Sequence, residues 1–377
     1  MSRLTAFRWS AFFSGFTLMA IGAGCVGEGA PAAAGAPQSP IQADEEVVFF
    51  PTFGRQSLQD DKWRFPLHGW IFEPETDSAV RFVAIGGLRR ALGVSEEESA
   101  GEIFRARARS FLVDNERGKD ISIFLGAGVY TLESSAANGH FQGELTLSRA
   151  EVQALCSEQS SPDKLRFRAV VRADDDRRFE GVIHLVPSEG LSVVSDIDDT
   201  VKVTGVGDKK QVLKNTFLRE FQAVPGMAAL YTKWAAKGVR FHYVSSSPWQ
   251  LYPALAEFLE GAGFPGGSFH LKLFRPKDST FFSLFASPEA SKLAVLEPLV
   301  ETFPRRRFVL VGDSGEKDPE IYGTLARKYP AQIERILIRN VSDESPTSQR
   351  FLAAFQDLPR KLWLVFRDPN EVDVSDS

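Results

Sequence analysis

The chain has 377 residues, of which 43% are hydrophobic and 25% are charged, and its formal net charge is −5. This composition is that of a globular protein long enough for two ordinary domains, and the negative charge offers no electrostatic footprint for nucleic acid. The two cysteines stand far apart and form no C-x-x-C pair, which excludes a cysteine-type zinc site and argues against a disulfide framework.

The N-terminus predicts an export signal. After two arginines, residues 9–24 are uncharged and mostly apolar, a length that is short for a membrane span and typical of a signal peptide. The ending "IGAGC" resembles a bacterial lipobox, although Gly22 stands where leucine is usual. We expect residues 1–24 to be a lipoprotein-type signal peptide and Cys25 to anchor an exported protein to a bacterial cell-envelope membrane. The alternative is an ordinary secretory signal with an incidental cysteine.

Two segments precede the part of the chain that carries the chemistry. Residues 25–44 are rich in Ala, Gly and Pro and predict a flexible linker. Residues 45–190 predict a β-rich, sandwich-like domain, because stretches such as "GHFQGELTLS" and "LRFRAVVRA" alternate apolar and polar residues between turn residues. A small helical insert is expected from Ala79 to about Phe111. The domain boundary is expected at Ser188–Gly190.

Residues 191–377 predict an α/β fold, a doubly wound parallel sheet of the Rossmann-like kind. Apolar runs such as "LSVVSDI", "VRFHYVSSS" and "RRFVLVGDS" alternate with helical patterns. Strands that are apolar along their whole length are those of a sheet covered on both faces. Ligands of such sheets bind at the carboxyl ends of the strands, which is therefore where functional residues are expected.

Polar residues follow three of these predicted strands. The first strand ends in Asp196, Asp198 and Asp199, the second in Ser245, and the fourth in Asp313. If the strands are parallel neighbours, these side chains converge in one crevice. Crowded carboxylates are costly unless a cation neutralises them, and magnesium accepts a few carboxylates while keeping water and phosphate oxygens as further ligands. The pattern therefore predicts a hard divalent metal.

Two other interpretations of the acidic motifs fail. A calcium loop of the EF-hand type counted from Asp196 needs glycine at its sixth position and glutamate at its twelfth, which here are Val201 and Gly207. The sequence "GDSG" at Gly312–Gly315 is similar to the nucleophile loop of serine proteases. However, Glu316 stands where that family has glycine, and no histidine lies in a matching context.

The motifs "SDIDDTVKVT", "FHYVSSSPWQLYP" and "FVLVGDSGEKDPEIY" together resemble those of the haloacid dehalogenase (HAD) superfamily. More narrowly, they resemble the conserved domain of the fungal actin-patch phosphatidate phosphatases and their bacterial relatives. The likeness covers roughly Gly190–Val341, with weaker traces upstream in "PLHGWIFEP" and "FLVDNERGK". The resemblance implies a HAD-like fold, Mg²⁺ as cofactor and hydrolysis of a phosphomonoester.

The resemblance also implies a role for each catalytic residue. Asp196 would be the nucleophile that forms an aspartyl-phosphate, and Asp198 the general acid/base. Residues i and i+2 of an extended chain face the same side, so both could reach one phosphate. Ser245 would hydrogen-bond a phosphate oxygen, and Lys292 would neutralise phosphate charge.

The metal ligands implied by the resemblance are the carboxylates of Asp196 and Asp313, the backbone carbonyl of Asp198, and Asp318 near the metal or its water. Asp318 precedes a proline and a helical pattern, so an N-cap role is an equal and compatible alternative.

Other nearby residues have simpler explanations. Ser247 is expected to be an N-cap rather than a ligand, and Asp199 is expected to stabilise the turn without a catalytic role. Lys272 and Lys277 are the alternatives for the phosphate-binding lysine.

Three functions remain open from the sequence. The first is a Mg²⁺-dependent phosphatidate phosphatase that works at a membrane surface and yields diacylglycerol. The second is a HAD phosphatase for a soluble or protein-borne phosphomonoester. The third is a non-catalytic, membrane-anchored binding lipoprotein, against which the three converging acids Asp196, Asp198 and Asp313 count.

Overall fold

A computed structural model describes residues 37–74, 85–87, 89–90, 93–273 and 289–372. The predicted signal peptide and Cys25, the predicted anchor site, lie outside these residues. Among the described residues, no helix has both the length and the apolar character needed to cross a bilayer.

The β-rich part of the chain consists of nine strands in one hydrogen-bonded sheet. These strands are β1 (Glu46–Phe49), β2 (Thr52–Gln56), β3 (Lys62–Pro74), β4 (Val113–Asn115), β5 (Ser122–Leu125), β6 (Gly128–Thr131), β7 (His140–Ser148), β8 (Lys164–Ala169) and β9 (Glu180–Val186). The long strand β3 pairs antiparallel with β1, β2, β4 and β7, and β2 pairs in parallel with β9. The strands of the predicted sandwich are therefore joined into a single sheet.

Alternation of apolar and polar residues builds the core of this sheet. In β3, Trp63, Phe65 and Leu67 are buried while the residues between them are not, as expected for a strand with one face on a core. The predicted linker is corrected at its end. Ser39 and Ile41 are buried, and the Ser39 backbone N–H donates to the Val170 carbonyl at 2.9 Å. The packed chain therefore begins before residue 45.

The second sheet has six parallel strands in the order β12-β11-β10-β13-β14-β15. Their bounds are β10 (Glu189–Asp196), β11 (Arg240–Pro248), β12 (Ser268–Lys272), β13 (Arg305–Asp313), β14 (Ile333–Arg339) and β15 (Trp363–Phe366). The chain moves outward from β10 on one side and returns to β13 on the other. The predicted doubly wound parallel sheet is confirmed, and its topological switch point lies between β10 and β13.

Nine helices have assigned bounds in the described part of the chain. They are α1 (Glu96–Ser99), α2 (Glu102–Arg109), α3 (Arg149–Glu158), α4 (Lys209–Phe217), α5 (Met227–Ala236), α6 (Tyr252–Gly261), α7 (Glu289–Thr302), α8 (Asp318–Lys328) and α9 (Gln349–Ala354). Consecutive residues of β10 belong to different cores. Val193 packs in the cluster that includes α5 and α6, and Val194 packs in the cluster that includes α7 and α8. Both faces of the parallel sheet are therefore covered, which is why its strands are apolar throughout.

The two sheets share a core. Phe50, just after β1, packs on Trp249 with 4.0 Å between ring centroids, and Phe53 of β2 packs against Phe303 at 5.3 Å. Only two residues separate β9 from β10. The described residues belong to one compact unit.

Candidate active site

The polar residues predicted at the strand ends lie together. Asp196 and Asp313 are the last residues of β10 and β13, and Asp318 is the first residue of α8. Each of the three offers a carboxylate oxygen, and these oxygens lie within 4.8 Å of one another. All three side chains are buried, so their charges are concentrated in a region with little water.

Lys292 on α7 is the cation inside this group. Its Nζ lies 2.9 Å from Asp196 Oδ1, donates to Asp318 Oδ1, and lies 3.9 Å from Glu316 Oε2. Burial alone would lower the pKa of Lys292, but Asp196 and Asp318 raise that pKa well above its ordinary value. These contacts favour Lys292 as the phosphate-binding lysine over Lys272, and Lys277 lies outside the described residues.

The neighbouring aspartates of the motif have opposite electrostatic surroundings. Burial raises the pKa of Asp196 well above its usual range, an effect that Lys292 only partly offsets. Burial would also raise the pKa of Asp198, but Lys202 and hydrogen bonds to its carboxylate hold that pKa below the usual value. Burial likewise raises the pKa of Asp313, and the nearby Asp318 adds to the effect.

Both oxygens of Asp198 accept hydrogen bonds. Oδ1 lies 2.7 Å from Lys202 Nζ and accepts from the Thr204 hydroxyl at 2.9 Å. Oδ2 accepts from the hydroxyls of Ser245 at 2.8 Å and Ser247 at 3.3 Å. Ser245, predicted to contact phosphate, is therefore placed beside the predicted general acid/base.

The N-cap expectation for Ser247 is wrong. A short 3₁₀ turn begins at Trp249 with Pro248 at its cap, and the Ser247 hydroxyl bonds to Asp198 instead. Asp318 is not an N-cap either, because Lys317 occupies that position of α8. The Asp318 carboxylate accepts from the backbone N–H of Asp313 at 3.2 Å, which turns it toward the acidic group.

Asp199 has the turn-stabilising contacts expected of it. It adopts a left-handed backbone with φ of 53°, and its carboxylate accepts three backbone N–H groups. The donors are Thr204 at 2.7 Å, Gly205 at 2.7 Å and Val206 at 2.6 Å. Three of the roughly four acceptor sites of this carboxylate are therefore taken by the loop that follows the strand.

Two charged residues of the site were missed by the sequence reasoning. The first is Lys202, which is buried beside Asp198. The second is Glu316, whose pKa is raised to about 7 by burial. Asp318 and Asp198 add to this shift, and Lys292 opposes it. The sequence does contain a signal for Lys202. A lysine between two valines, four residues after Asp198, is unusual in an apolar stretch unless it has a partner.

The acidic group fits a magnesium ion. Asp196 Oδ2 and Asp313 Oδ2 are buried and have no hydrogen-bond partner among the residues that the structure describes. A buried carboxylate oxygen without a donor is costly, and a hard cation that binds oxygen removes that cost. Asp196, Asp313 and Asp318 would hold such an ion.

The part of the chain that holds this site is similar to known proteins. Residues 191–340 match the family described as "Phosphatidate phosphatase APP1, catalytic domain". The Saccharomyces cerevisiae protein named phosphatidate phosphatase APP1 is 38% identical over 159 residues, which are 41% of this chain and 26% of the yeast protein. An uncharacterized Schizosaccharomyces pombe protein is 29% identical over 201 residues, covering 52% of this chain and 31% of that protein.

The chain thus spans less than a third of the length of these curated relatives. Among solved structures, the class C acid phosphatase from Bacillus anthracis with tungstate bound is 17% identical. The superposition covers 38% of this chain and 65% of the phosphatase chain, with a TM-score of 0.24. The sequence match over 191–340 confirms that this part of the chain resembles the catalytic domain of the APP1 phosphatidate phosphatases.

Proposed function

We propose that the protein is a Mg²⁺-dependent phosphatidate phosphatase that hydrolyses its phosphomonoester through an aspartyl-phosphate. One observation carries the proposal. The part of the chain that matches a phosphatidate phosphatase catalytic domain ends its first strand in a buried Asp196 bonded to Lys292, with Asp198 two residues further on. This is the arrangement needed for a nucleophile, a cation and a proton donor around one phosphate.

In the first step, an Asp196 oxygen attacks phosphorus and the bond from phosphorus to the leaving alkoxide breaks. Asp198, in the protonated form that the second step regenerates, gives its proton to that alkoxide, which leaves as the alcohol. Lys292 neutralises charge on the phosphoryl group. A bound Mg²⁺ would supply further neutralisation of the phosphate oxygens and would be held by Asp196, Asp313, Asp318 and the Asp198 carbonyl.

In the second step, water attacks the phosphorus of the aspartyl-phosphate and the bond to Asp196 breaks, which releases inorganic phosphate. Asp198 takes the proton of the attacking water and is thereby ready for the next cycle. The hydroxyls of Ser245 and Ser247 orient Asp198 through its Oδ2 in the substrate-free protein.

The proposal includes a location. We infer that the protein is exported and that Cys25 carries the lipid that anchors it, on the strength of the short apolar segment and "IGAGC". Phosphatidate is a membrane lipid, so an anchored enzyme would meet it at the bilayer surface. Metabolic labelling with a radioactive fatty acid tests this, and an unlabelled protein whose processed N-terminus is not Cys25 would contradict it.

The activity test uses the full chain in mixed micelles that contain phosphatidate and Mg²⁺, with release of inorganic phosphate as the measurement. Asp196→Asn and Asp198→Asn should each lose about a hundredfold or more in kcat, and EDTA should abolish turnover. The matched control is Asp208→Asn, an exposed N-cap of α4 at which asparagine caps equally well. Wild-type turnover in both site variants would refute the mechanism. Hydrolysis of a small aryl phosphate without hydrolysis of phosphatidate would favour a soluble substrate.

A further inference from the structure

Lys202 is a buried cation for which the reaction so far gives no role. Its side chain is 2% exposed, and its Nζ lies 2.7 Å from Asp198 Oδ1 and donates to the Thr204 hydroxyl at 2.7 Å. The Thr204 hydroxyl in turn donates to the same Asp198 oxygen. Lys202 therefore bonds both to the predicted proton donor and to a second residue that holds it.

We propose that Lys202 is a positioning residue that orients Asp198 toward the leaving group, and that helix α2 of the β-rich part holds Lys202 in place through Arg107 and Phe221. This inference rests on the proposed function, because it concerns the orientation of its general acid.

Phe221 connects the two cations. The Lys202 Nζ lies over the Phe221 ring at 4.8 Å from the centroid, and the Arg107 guanidinium carbon lies over the same ring at 3.7 Å. A cation over an aromatic face is attracted by the ring quadrupole, and more strongly where water is excluded. The lysine head group thus has an aromatic wall on one side and Asp198 and Thr204 as hydrogen-bond partners.

Arg107 is itself firmly fixed. It is 8% exposed although it lies on a helix whose neighbouring arginines, Arg105 and Arg109, are exposed. Its Nη1 donates to the Thr216 carbonyl at 2.6 Å and the Arg219 carbonyl at 2.7 Å, at and just beyond the end of α4. The last carbonyls of a helix lack intrahelical donors and carry partial negative charge, so a cation there is stabilising.

This arrangement gives the β-rich part of the chain a task in the active site. Helix α2 precedes the parallel sheet by about eighty residues, yet its arginine braces the segment that follows the catalytic strand. The backbone reinforces this, because Lys202 forms single bridges with Asp198 and with Ala223, two residues after Phe221. If Phe221 were displaced, Lys202 would no longer be held in place. Asp198 Oδ1 would then lose its charged donor, Lys202, and keep only the Thr204 hydroxyl.

The test exploits the chemistry of the leaving group. An alkoxide needs a proton as it leaves, whereas p-nitrophenolate is stable without one, so only alkyl phosphomonoesters depend strongly on the general acid. Lys202→Met should lower kcat/KM for a short-chain phosphatidate by about tenfold and kcat/KM for p-nitrophenyl phosphate by less than about twofold. The constant kcat/KM covers only the steps up to formation of the aspartyl-phosphate, so it leaves out the second step, in which Asp198 acts for both substrates alike. Arg107→Met should change the ratio of the two kcat/KM values in the same direction by about threefold. Arg105→Met, exposed on the same helix, is the matched control and should leave the ratio unchanged.

Two reference measurements separate this inference from the proposed function. Asp198→Asn should show the largest change in the ratio, and if it shows none, or if the wild type hydrolyses neither substrate, the proposed function fails. Suppose that Asp198→Asn changes the ratio, but Lys202→Met lowers kcat/KM for both substrates by the same factor or for neither of them. The positioning role of Lys202 is then overturned. Magnesium affinity, measured by titration calorimetry, should stay the same in Lys202→Met, and a loss would place its effect at the metal instead. Should Lys202→Met not fold, the comparison of Arg107→Met with Arg105→Met decides.

Discussion

At the scale of single residues, the site depends on small differences in surroundings among chemically identical groups. Asp196, Asp198 and Asp199 follow one another within four positions of one strand end. Asp196 contacts Lys292, Asp198 contacts Lys202, and the Asp199 carboxylate accepts three backbone amides of the next loop. Their different partners, rather than their residue type, separate the proposed nucleophile, the proposed acid and a structural clamp.

Gly312 provides a test of Asp318 as a metal-site residue. A Cβ at Gly312 would overlap Asp318 Oδ2, and the overlap is relieved most directly if the Asp318 carboxylate moves away. Gly312→Ala should therefore weaken Mg²⁺ binding by about tenfold or more, the size expected when a residue that orients a metal site is lost. Titration calorimetry measures this. Gly207→Ala, where a Cβ meets nothing within 4 Å, is the control.

Unchanged affinity in Gly312→Ala would show that Asp318 does not hold the ion. If Gly207→Ala reduced the Mg²⁺ affinity by a similar factor, the loss in Gly312→Ala could not be assigned to Asp318.

At the scale of elements, the loop after β10 depends on one side chain. Asp199 binds the amides of residues 204–206, and this loop carries Thr204, which contacts Asp198. The loop is thus tied to the strand end at both the structural and the candidate catalytic aspartate.

Asp199→Asn should loosen this loop. Asparagine tolerates the left-handed backbone at this position but loses the charge that strengthens the three bonds. A hydrogen bond to a charged group contributes about 1.5–3 kcal/mol, so we expect the Gly205 and Val206 amides to exchange with solvent about tenfold faster. Hydrogen exchange read by mass spectrometry is the measurement. Asp208→Asn serves as the comparison, and equal protection in both variants would contradict the clamp.

At the scale of the whole molecule, all five histidines of the chain lie at or near the contact between the two sheets. The rings of His242 and His270 lie 5.8 and 6.1 Å from that of Phe53, and His68 lies 4.9 Å from Trp249. His68 is hydrogen-bonded to His140 at 2.9 Å, and His184 lies beside Gly266. The joint between the sheets is therefore built partly from side chains that would gain a proton near neutral pH in the unfolded chain.

This joint should make the fold sensitive to acid. Burial lowers the pKa of His68 to about 3 and of His140 and His270 to about 4. Because the unfolded state then binds protons first, stability present above the unfolded pKa of about 6.5 is lost as pH falls toward the folded values, by about 1.4 kcal/mol per pH unit and histidine.

Urea unfolding between pH 7 and pH 5 measures this, and His140→Gln should reduce the slope of stability against pH by about that amount. Comparing slopes cancels other groups, including Glu316, whose raised pKa acts in the opposite direction. Lys233→His, an exposed histidine, should leave the slope unchanged. An unaltered slope in His140→Gln would show that this histidine titrates alike in both states.

Local pattern was enough for much of this protein. Apolar runs that end in acidic residues predict the strands of a parallel sheet covered on both faces, because such strands are apolar along their whole length. They also place Asp196 and Asp313 at the same edge, because the carboxyl ends of parallel strands lie together. The order of strands then follows the rules of the doubly wound fold. The chemistry of the motifs, and the resemblance they carry, come from the same short stretches.

Packing decided what lies between those stretches. Three contacts of the site cannot be predicted from neighbouring residues in the sequence. They are the contact of Lys292 with Asp196, the hydrogen bond of Ser247 to Asp198, and the packing of Arg107 on Phe221. The histidines are scattered along the chain and meet only where two sheets share a core. Such contacts join residues tens of positions apart, and their distances depend on how whole elements stack, which no run of neighbouring residues encodes.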